Sequence, residues 1–138
     1  QLKRLDEFIS RRDEIAAIYE DAFSDSKHLK TIKIPSHIRS ARHLYPVLLN
    51  SNLWCAKEDI FNELHSRGIG VQVHYKPTYQ FSFYKKLYGE QFLSGAEDFY
   101  RAELSLPCHQ MMSDDDVKFV ILNLNELLDK YALATICS

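Results

Sequence analysis

The sequence predicts an α+β domain in which a small, mostly antiparallel sheet is covered by helices on one face. Three observations predict it. Apolar residues recur at every third or fourth position near both ends of the chain, short runs rich in β-branched and aromatic residues stand between them, and glycine, proline or capping residues separate the two patterns. At 138 residues the chain fits one domain, and a domain of that size removes roughly two thirds of its unfolded surface from water.

From Leu5 to Phe23 the residues Leu5, Phe8, Ile9, Ile15, Ala16, Tyr19, Ala22 and Phe23 mark one stripe of a helix whose other face is charged. Residues 24 to 42 read as a connection with a short strand at Ile32 to Ile34. His43 to Leu49 reads as a buried strand, because Pro46 would cost a helix interior about 3 kcal/mol. The same proline leaves pairing incomplete, which argues for an edge or an end of the sheet. Lys57 to Arg67 carries Ile60, Phe61 and Leu64 at helical spacing, and Gly68 stands where a left-handed residue would close that helix. A strand follows at once, with Val71, Val73 and Tyr75 on an apolar face, Tyr75 packing its ring in the core, and Gln72, His74 and Lys76 on a polar one.

Beyond Pro77 the aromatic stretch Tyr79, Phe81, Phe83, Tyr84 and Tyr88, ending at Gly89, reads as a loop with one helical turn. Ser94 and Glu97 have capping-box spacing and open a helix that turns Ala96, Phe99 and Tyr100 inward. Leu104 to Pro107 is a short strand. Ser113 followed by Asp114, Asp115 and Asp116 caps the last helix and sets negative charge at its positive end, with Val117, Val120, Ile121, Leu124, Leu128 and Tyr131 as its stripe. Ala132 to Ser138 is expected to fray.

Composition excludes several classes of function. The 17 Lys and Arg are interspersed with 19 Asp and Glu for a net charge of −2, so no positive field gathers a phosphate backbone and nucleic acid is not expected as a partner. Cys55, Cys108 and Cys137 are odd in number and lack Cys-x-x-Cys spacing, which argues against a disulfide scaffold and against a zinc knuckle. No apolar run approaches the ~20 residues of a membrane helix, so no membrane partner is expected, and the absence of paired ligands at metal spacing leaves no metal expected either. The expected compartment is a reducing cytoplasm. A start at Gln1, directly ahead of a helical pattern, suggests a piece of something longer.

The chemistry-bearing segment is Gly68 to Pro77. It runs from a glycine stop to a proline stop and delivers an amide, an imidazole and a phenol from a strand end. A lone strand histidine is more often a hydrogen-bonded structural residue, and Gln72 and Lys76 have ordinary solvated readings. It is the grouping with Gln72 and Tyr75 that makes His74 the candidate. Cys108-His109 has no second ligand pair at metal spacing, and helix capping accounts for the acidic run at Asp114 to Asp116.

The blocks His43-Leu44-Tyr45-Pro46-Val47, Arg67-Gly68-Ile69-Gly70-Val71-Gln72-Val73-His74-Tyr75-Lys76-Pro77, Phe83-Tyr84-Lys85-Lys86-Leu87-Tyr88-Gly89 and Leu104-Ser105-Leu106-Pro107-Cys108-His109 resemble, in order, the C-terminal region of the DegT/StrS family. Its members are pyridoxal-phosphate-dependent nucleotide-sugar aminotransferases of the aspartate-aminotransferase fold (fold type I). The resemblance covers nearly the whole chain and departs from many relatives at Thr78-Tyr79-Gln80 and at Gln110. It implies that residues 1–138 form the C-terminal small domain, while the Schiff-base lysine, the acid facing the pyridinium nitrogen and most of the phosphate grip belong to an N-terminal large domain. It further implies that Gln72, Val73, His74 and Tyr75 line the nucleotide-sugar side of the site, with no catalytic or cofactor-binding residue in this chain and pyridoxal phosphate only in the full-length enzyme. That enzyme would be a homodimer. The blocks are most similar to members that aminate a UDP-linked 4-keto-6-deoxy-N-acetylhexosamine on the route to pseudaminic acid, with glutamate as donor. A stand-alone module that binds a nucleotide sugar or a protein without catalysis is the alternative.

Overall fold

The computed structural model describes residues 2–136. A short 3-10 turn leads into helix α1 (Leu5–Ala22), followed by strands β1 (Leu29–Thr31) and β2 (Tyr45–Leu49), helix α2 (Lys57–Ser66), helices α3 (Ser82–Tyr88) and α4 (Ser94–Ala102), strand β3 (Glu103–Leu106) and helix α5 (Asp114–Ile136). The three strands form an antiparallel sheet in the order β1-β2-β3.

β2 is therefore the central strand, which corrects the edge position expected from Pro46. The alternative, an end of the pairing, is what the register shows. Pro46 faces Ser105 on β3, whereas β1 stops opposite Val47. The Asn50 N–H donates to the His28 carbonyl at 2.8 Å, so the even-numbered residues of β2 turn their backbone groups toward β1. Pro46, which has no N–H, would face that side too, and the ladder ends one residue short of it. The first strand consequently lies at Leu29–Thr31 rather than at Ile32 to Ile34.

Alternation along β2 and β3 puts Tyr45, Val47, Leu49, Leu104 and Leu106 on one face, where they are buried with Ile15 and Tyr19 of α1, Ile60 and Leu64 of α2, and Val117, Leu124 and Leu128 of α5. Each such side chain contributes about 1.5–3 kcal/mol relative to exposure. The Tyr19 hydroxyl, inside this core, donates to the Pro107 carbonyl at 2.9 Å. Arg11 ties α1 to the start of α5 through the Met112 carbonyl at 2.8 Å and Asp114 at 2.7 Å.

The helix ends follow their sequence signals in two places and depart in a third. At α2, Gly68 has φ +80°, and the Gly68 and Ile69 N–H groups donate to the His65 and Leu64 carbonyls at 3.0 and 2.9 Å. That is the paired closure a left-handed glycine permits. At α5, the Asp116 N–H donates to Ser113 Oγ at 3.1 Å while the Ser113 N–H and hydroxyl both donate to Asp116 at 2.8 Å. At α4 the expected capping box is absent: Glu97 instead accepts from the Tyr79 hydroxyl at 2.9 Å and from Gln80 at 2.7 Å. Phe99 is not inward but 37% exposed. The stretch after Pro77 is also more helical than expected, because α3 forms two turns and closes on Gly89 at φ +73°. At the other end, α5 runs on through Ile136 with Ala132 still buried, so the fray expected from Ala132 does not begin there. Cys137 and Ser138 lie outside the described residues.

Candidate functional site

The expected strand at Gly70 to Lys76 reduces to a single antiparallel bridge, Gln72 to Ser105. Its two backbone bonds, Ser105 N–H to Gln72 carbonyl at 2.8 Å and Gln72 N–H to Ser105 carbonyl at 3.1 Å, attach the segment to the free edge of β3. One step further along, where a regular ladder would place His74 against the backbone of Glu103, the Glu103 side chain intervenes. Its Oε2 accepts the His74 N–H at 2.8 Å. A carboxylate thus replaces the next rung, and regular pairing stops.

Faces alternate as expected only up to that point. Val71 is buried, Val73 is half-buried against the core, Gln72 is exposed and His74 half-buried. Tyr75 breaks the pattern: the residue is 69% exposed and its ring meets the His74 imidazole edge-on at 4.5 Å, contrary to the expectation that it packs in the core. Lys76 is exposed and lies over the Phe81 ring at 5.8 Å. Phe81 and, further along the chain, Phe83, Tyr84 and Tyr88 are exposed as well, so through Phe81 the segment leads into an open aromatic surface. The cleft of about 450 Å³ lined by Gly68, Gly70, His109 and Phe119 contains none of Gln72, Val73, His74 or Tyr75.

Three residues that sequence reasoning passed over complete the group. Glu103 is fully buried, and besides the His74 N–H it accepts the Ser105 hydroxyl at 2.5 Å. Ser105 Oγ in turn lies 2.9 Å from His74 Nδ1. Lys57, at the start of α2, donates to the Tyr100 carbonyl and reaches the Glu103 carbonyl at 3.3 Å. Burial lowers the Lys57 pKa, and the Glu103 charge opposes that shift. The signal was present in the polar-apolar alternation of Glu103-Leu104-Ser105-Leu106: two polar side chains share one face of a strand buried at every position. Starting the strand at Leu104 left the carboxylate out.

The implied cofactor, pyridoxal phosphate, calls for a lysine that can form a Schiff base beside an acid facing the pyridinium nitrogen. Lys57 is the one described lysine that is not exposed, and its ammonium is engaged by two backbone carbonyls rather than turned into a cavity beside an acid. Cys108 is buried, which raises its pKa, with Arg12 and Arg42 opposing; a thiol so placed is inert. Among the described residues no cluster of His, Cys, Asp and Glu could hold a metal ion, and no helix is long and apolar enough to cross a membrane. What the group can do is present an amide, an oriented imidazole and a phenol from a braced sheet edge.

Known proteins resemble this chain in sequence and in fold. The chain is 53% identical over 130 residues to the UDP-4-amino-4,6-dideoxy-N-acetyl-beta-L-altrosamine transaminase of Campylobacter jejuni, covering 94% of this chain and 35% of that protein. It is 39% identical to the transaminase of the same name from Helicobacter pylori, covering 86% and 32%. Among solved structures, Helicobacter pylori PseC, an aminotransferase involved in the biosynthesis of pseudoaminic acid, superposes with a TM-score of 0.90 at 35% identity over 94% of this chain and 35% of that one. The PLP-form of a putative sugar aminotransferase from Streptococcus pneumoniae superposes at 0.84 with 28% identity, covering 94% and 33%. The chain spans about a third of the length of the curated relatives it matches. A family model matches residues 1–125, so the bridged His74 segment and the sheet that carries it fall within the matched region, and the chain belongs to the DegT/DnrJ/EryC1/StrS aminotransferase family.

Proposed function

We propose that the chain is the C-terminal small domain of a pyridoxal-phosphate-dependent aminotransferase. The whole enzyme would transfer an amino group from glutamate to the 4-keto group of a UDP-linked 4-keto-6-deoxy-N-acetylhexosamine, on the route to pseudaminic acid in surface polysaccharide or flagellin glycan. The Schiff-base lysine and the cofactor's phosphate grip belong on this reading to a large domain of the same polypeptide, and the enzyme acts as a homodimer. Gln72, Val73, His74 and Tyr75 meet the nucleotide sugar. Gln72 offers an amide, His74 an imidazole nitrogen, Tyr75 a hydroxyl and Val73 an apolar wall. The chain by itself does not transaminate.

The observation that carries the reading is the exposed Gln72 and half-buried His74 at a sheet edge braced by Glu103 and Ser105, beside an open aromatic surface instead of an enclosed pocket. A small-molecule site normally buries most of its ligand, so this is one wall of a site whose other wall lies elsewhere. The identity to a UDP-sugar transaminase supports the substrate class. The test has two parts. An absorbance scan of the chain with added pyridoxal phosphate should show no stoichiometric lysine adduct, and turnover by the chain alone would refute the reading. In the full-length polypeptide His74→Ala should lower kcat/KM roughly 10- to 100-fold, the equivalent of one buried hydrogen bond to ligand at ~1.5–3 kcal/mol; an unchanged value would refute the substrate role.

A further inference from the structure

We infer that Glu103 and Ser105 fix the His74 imidazole in the tautomer protonated at Nδ1, so that Nε2 is presented as a hydrogen-bond acceptor to a hydroxyl or amide N–H of the ligand. The inference rests on the reading that His74 meets the substrate, and it adds two positioning residues and the polarity of the group recognised.

The argument is a count of protons. With Glu103 as a carboxylate, both of its oxygens only accept. Oε2 takes the His74 backbone N–H at 2.8 Å and Oε1 takes the Ser105 hydroxyl at 2.5 Å. Ser105 has a single proton and has given it to Glu103, so toward His74 Nδ1, 2.9 Å away, it can offer only a lone pair. The short contact is therefore a hydrogen bond only if Nδ1 carries the proton, and in the neutral ring Nε2 then has none. Among the described residues Nε2 makes no hydrogen bond of its own. The relay is rigid at each joint. Ser105 is held by its paired bonds to Gln72, Glu103 is fully buried, and the Tyr75 ring stands edge-on against the imidazole.

This arrangement selects by polarity. A fixed lone pair on Nε2 attracts a hydroxyl or N–H donor and repels a carbonyl oxygen, so neutral His74 faces a ring hydroxyl or an acetamido N–H of a sugar and not its keto oxygen. Sites built around one hydrogen-bond partner reject analogues that lack it far more strongly than apolar pockets reject a misfit.

Long-range ¹H–¹⁵N correlation spectra of the full chain, recorded at alkaline pH where imidazoles are neutral, read the tautomer directly. The expected pattern for His74 is predominantly Nδ1–H. Ser105→Ala removes the acceptor and should shift His74 to predominantly Nε2–H, and Ser105→Thr, which keeps the hydroxyl, should restore Nδ1–H. If Ser105→Ala does not fold, Glu103→Gln serves in its place. Its amide can donate to Ser105, which then donates to Nδ1 and leaves the ring proton on Nε2. A wild-type Nε2–H pattern overturns the inference, and so does a pattern that neither Ser105→Ala nor Glu103→Gln alters. Titration of the full-length polypeptide with UDP-N-acetylglucosamine separates the inference from the reading beneath it. A fixed Nδ1–H tautomer whose Nε2 resonance ignores the probe counts against His74 as a substrate contact while sustaining the relay; an Nε2–H ring that does respond overturns the relay alone.

Discussion

Truncating Glu103 to alanine tests whether the buried carboxylate stabilises this sheet edge. In the native chain the carboxylate accepts the His74 N–H at 2.8 Å and the Ser105 hydroxyl at 2.5 Å. Alanine leaves both donors without it. The Ser105 hydroxyl can turn its proton to His74 Nδ1, 2.9 Å away, if the imidazole changes tautomer, but the His74 N–H has no such recourse. One orphaned, partly buried donor costs about 1–3 kcal/mol, and the void left by a fully buried side chain adds roughly 1–2 kcal/mol. Against these stands the recovered desolvation of the carboxylate, which is why replacing a whole buried ion pair can be neutral while removing one partner costs ~3–5 kcal/mol. Lys57, whose ammonium feels the Glu103 charge, stays behind. The expected loss is about 2–4 kcal/mol, a large part of the ~5–15 kcal/mol that holds a domain together. Urea unfolding followed by the fluorescence of Trp54, whose indole donates to the Leu49 carbonyl at 2.9 Å, reads it as a lower midpoint at unchanged slope. A loss below about 0.5 kcal/mol would refute the view that this carboxylate substitutes for a rung of the ladder.

Gly68→Ala should cost about 1–2 kcal/mol in the same assay. No neighbour stands within 4 Å of the added methyl, so only the left-handed backbone at φ +80° resists. Leu64→Ala, at a fully buried position of α2 within the core, should cost about 2–5 kcal/mol, and a value near that of a surface mutation would place the core elsewhere. Asp116 has its carboxyl held below the ordinary range by the Ser113 N–H and then by the Ser113 hydroxyl. A depressed carboxylate contributes stability that is present above its unfolded pKa and is lost as pH falls through the folded one. Asp116→Asn should therefore flatten the acid limb of a stability-versus-pH profile below about pH 4 and leave the neutral region's slope unchanged; an unaltered acid limb would count against the cap.

Much of this fold was legible because it rests on local chemistry. The α1 stripe, the glycine closure at Gly68 and the Ser113 cap each depend on residues a few positions apart; the structure contains the closure, the cap and the middle of the stripe, where Ile9, Ile15, Ala16 and Tyr19 are buried, while Leu5 and Ala22 at its ends are exposed. What could not be read depends on partners distant in sequence. Glu97 has the spacing of a capping residue, yet its carboxylate is drawn to Tyr79 and Gln80 by packing that no local pattern encodes. The strand at Gly70 to Lys76 has the right alternation, but Glu103, 29 positions on from His74, takes the N–H that a neighbouring backbone would have bonded. Pro46 misled in one sense only. Its missing donor forbids pairing on one side at one residue, which is compatible with a central strand so long as the neighbour stops in time. The candidate site was legible as a segment, and its bracing residues were not, since a buried carboxylate is recognisable only once its donors are in place.

The halted ladder beside Pro46 also decides where this chain can change length. Beyond Thr31 the polypeptide leaves the sheet and returns at Tyr45 along a path tethered to α1 by Arg39 on Asp6 and by Arg42 on Asp13 and Glu20. Residues added within that excursion would enlarge a surface bulge without shifting any strand's register, because the proline gives an added residue nothing to pair with. Variation among homologous chains, and deliberate insertion of a tag or label, can therefore concentrate there while the imidazole and its two supports stay in place.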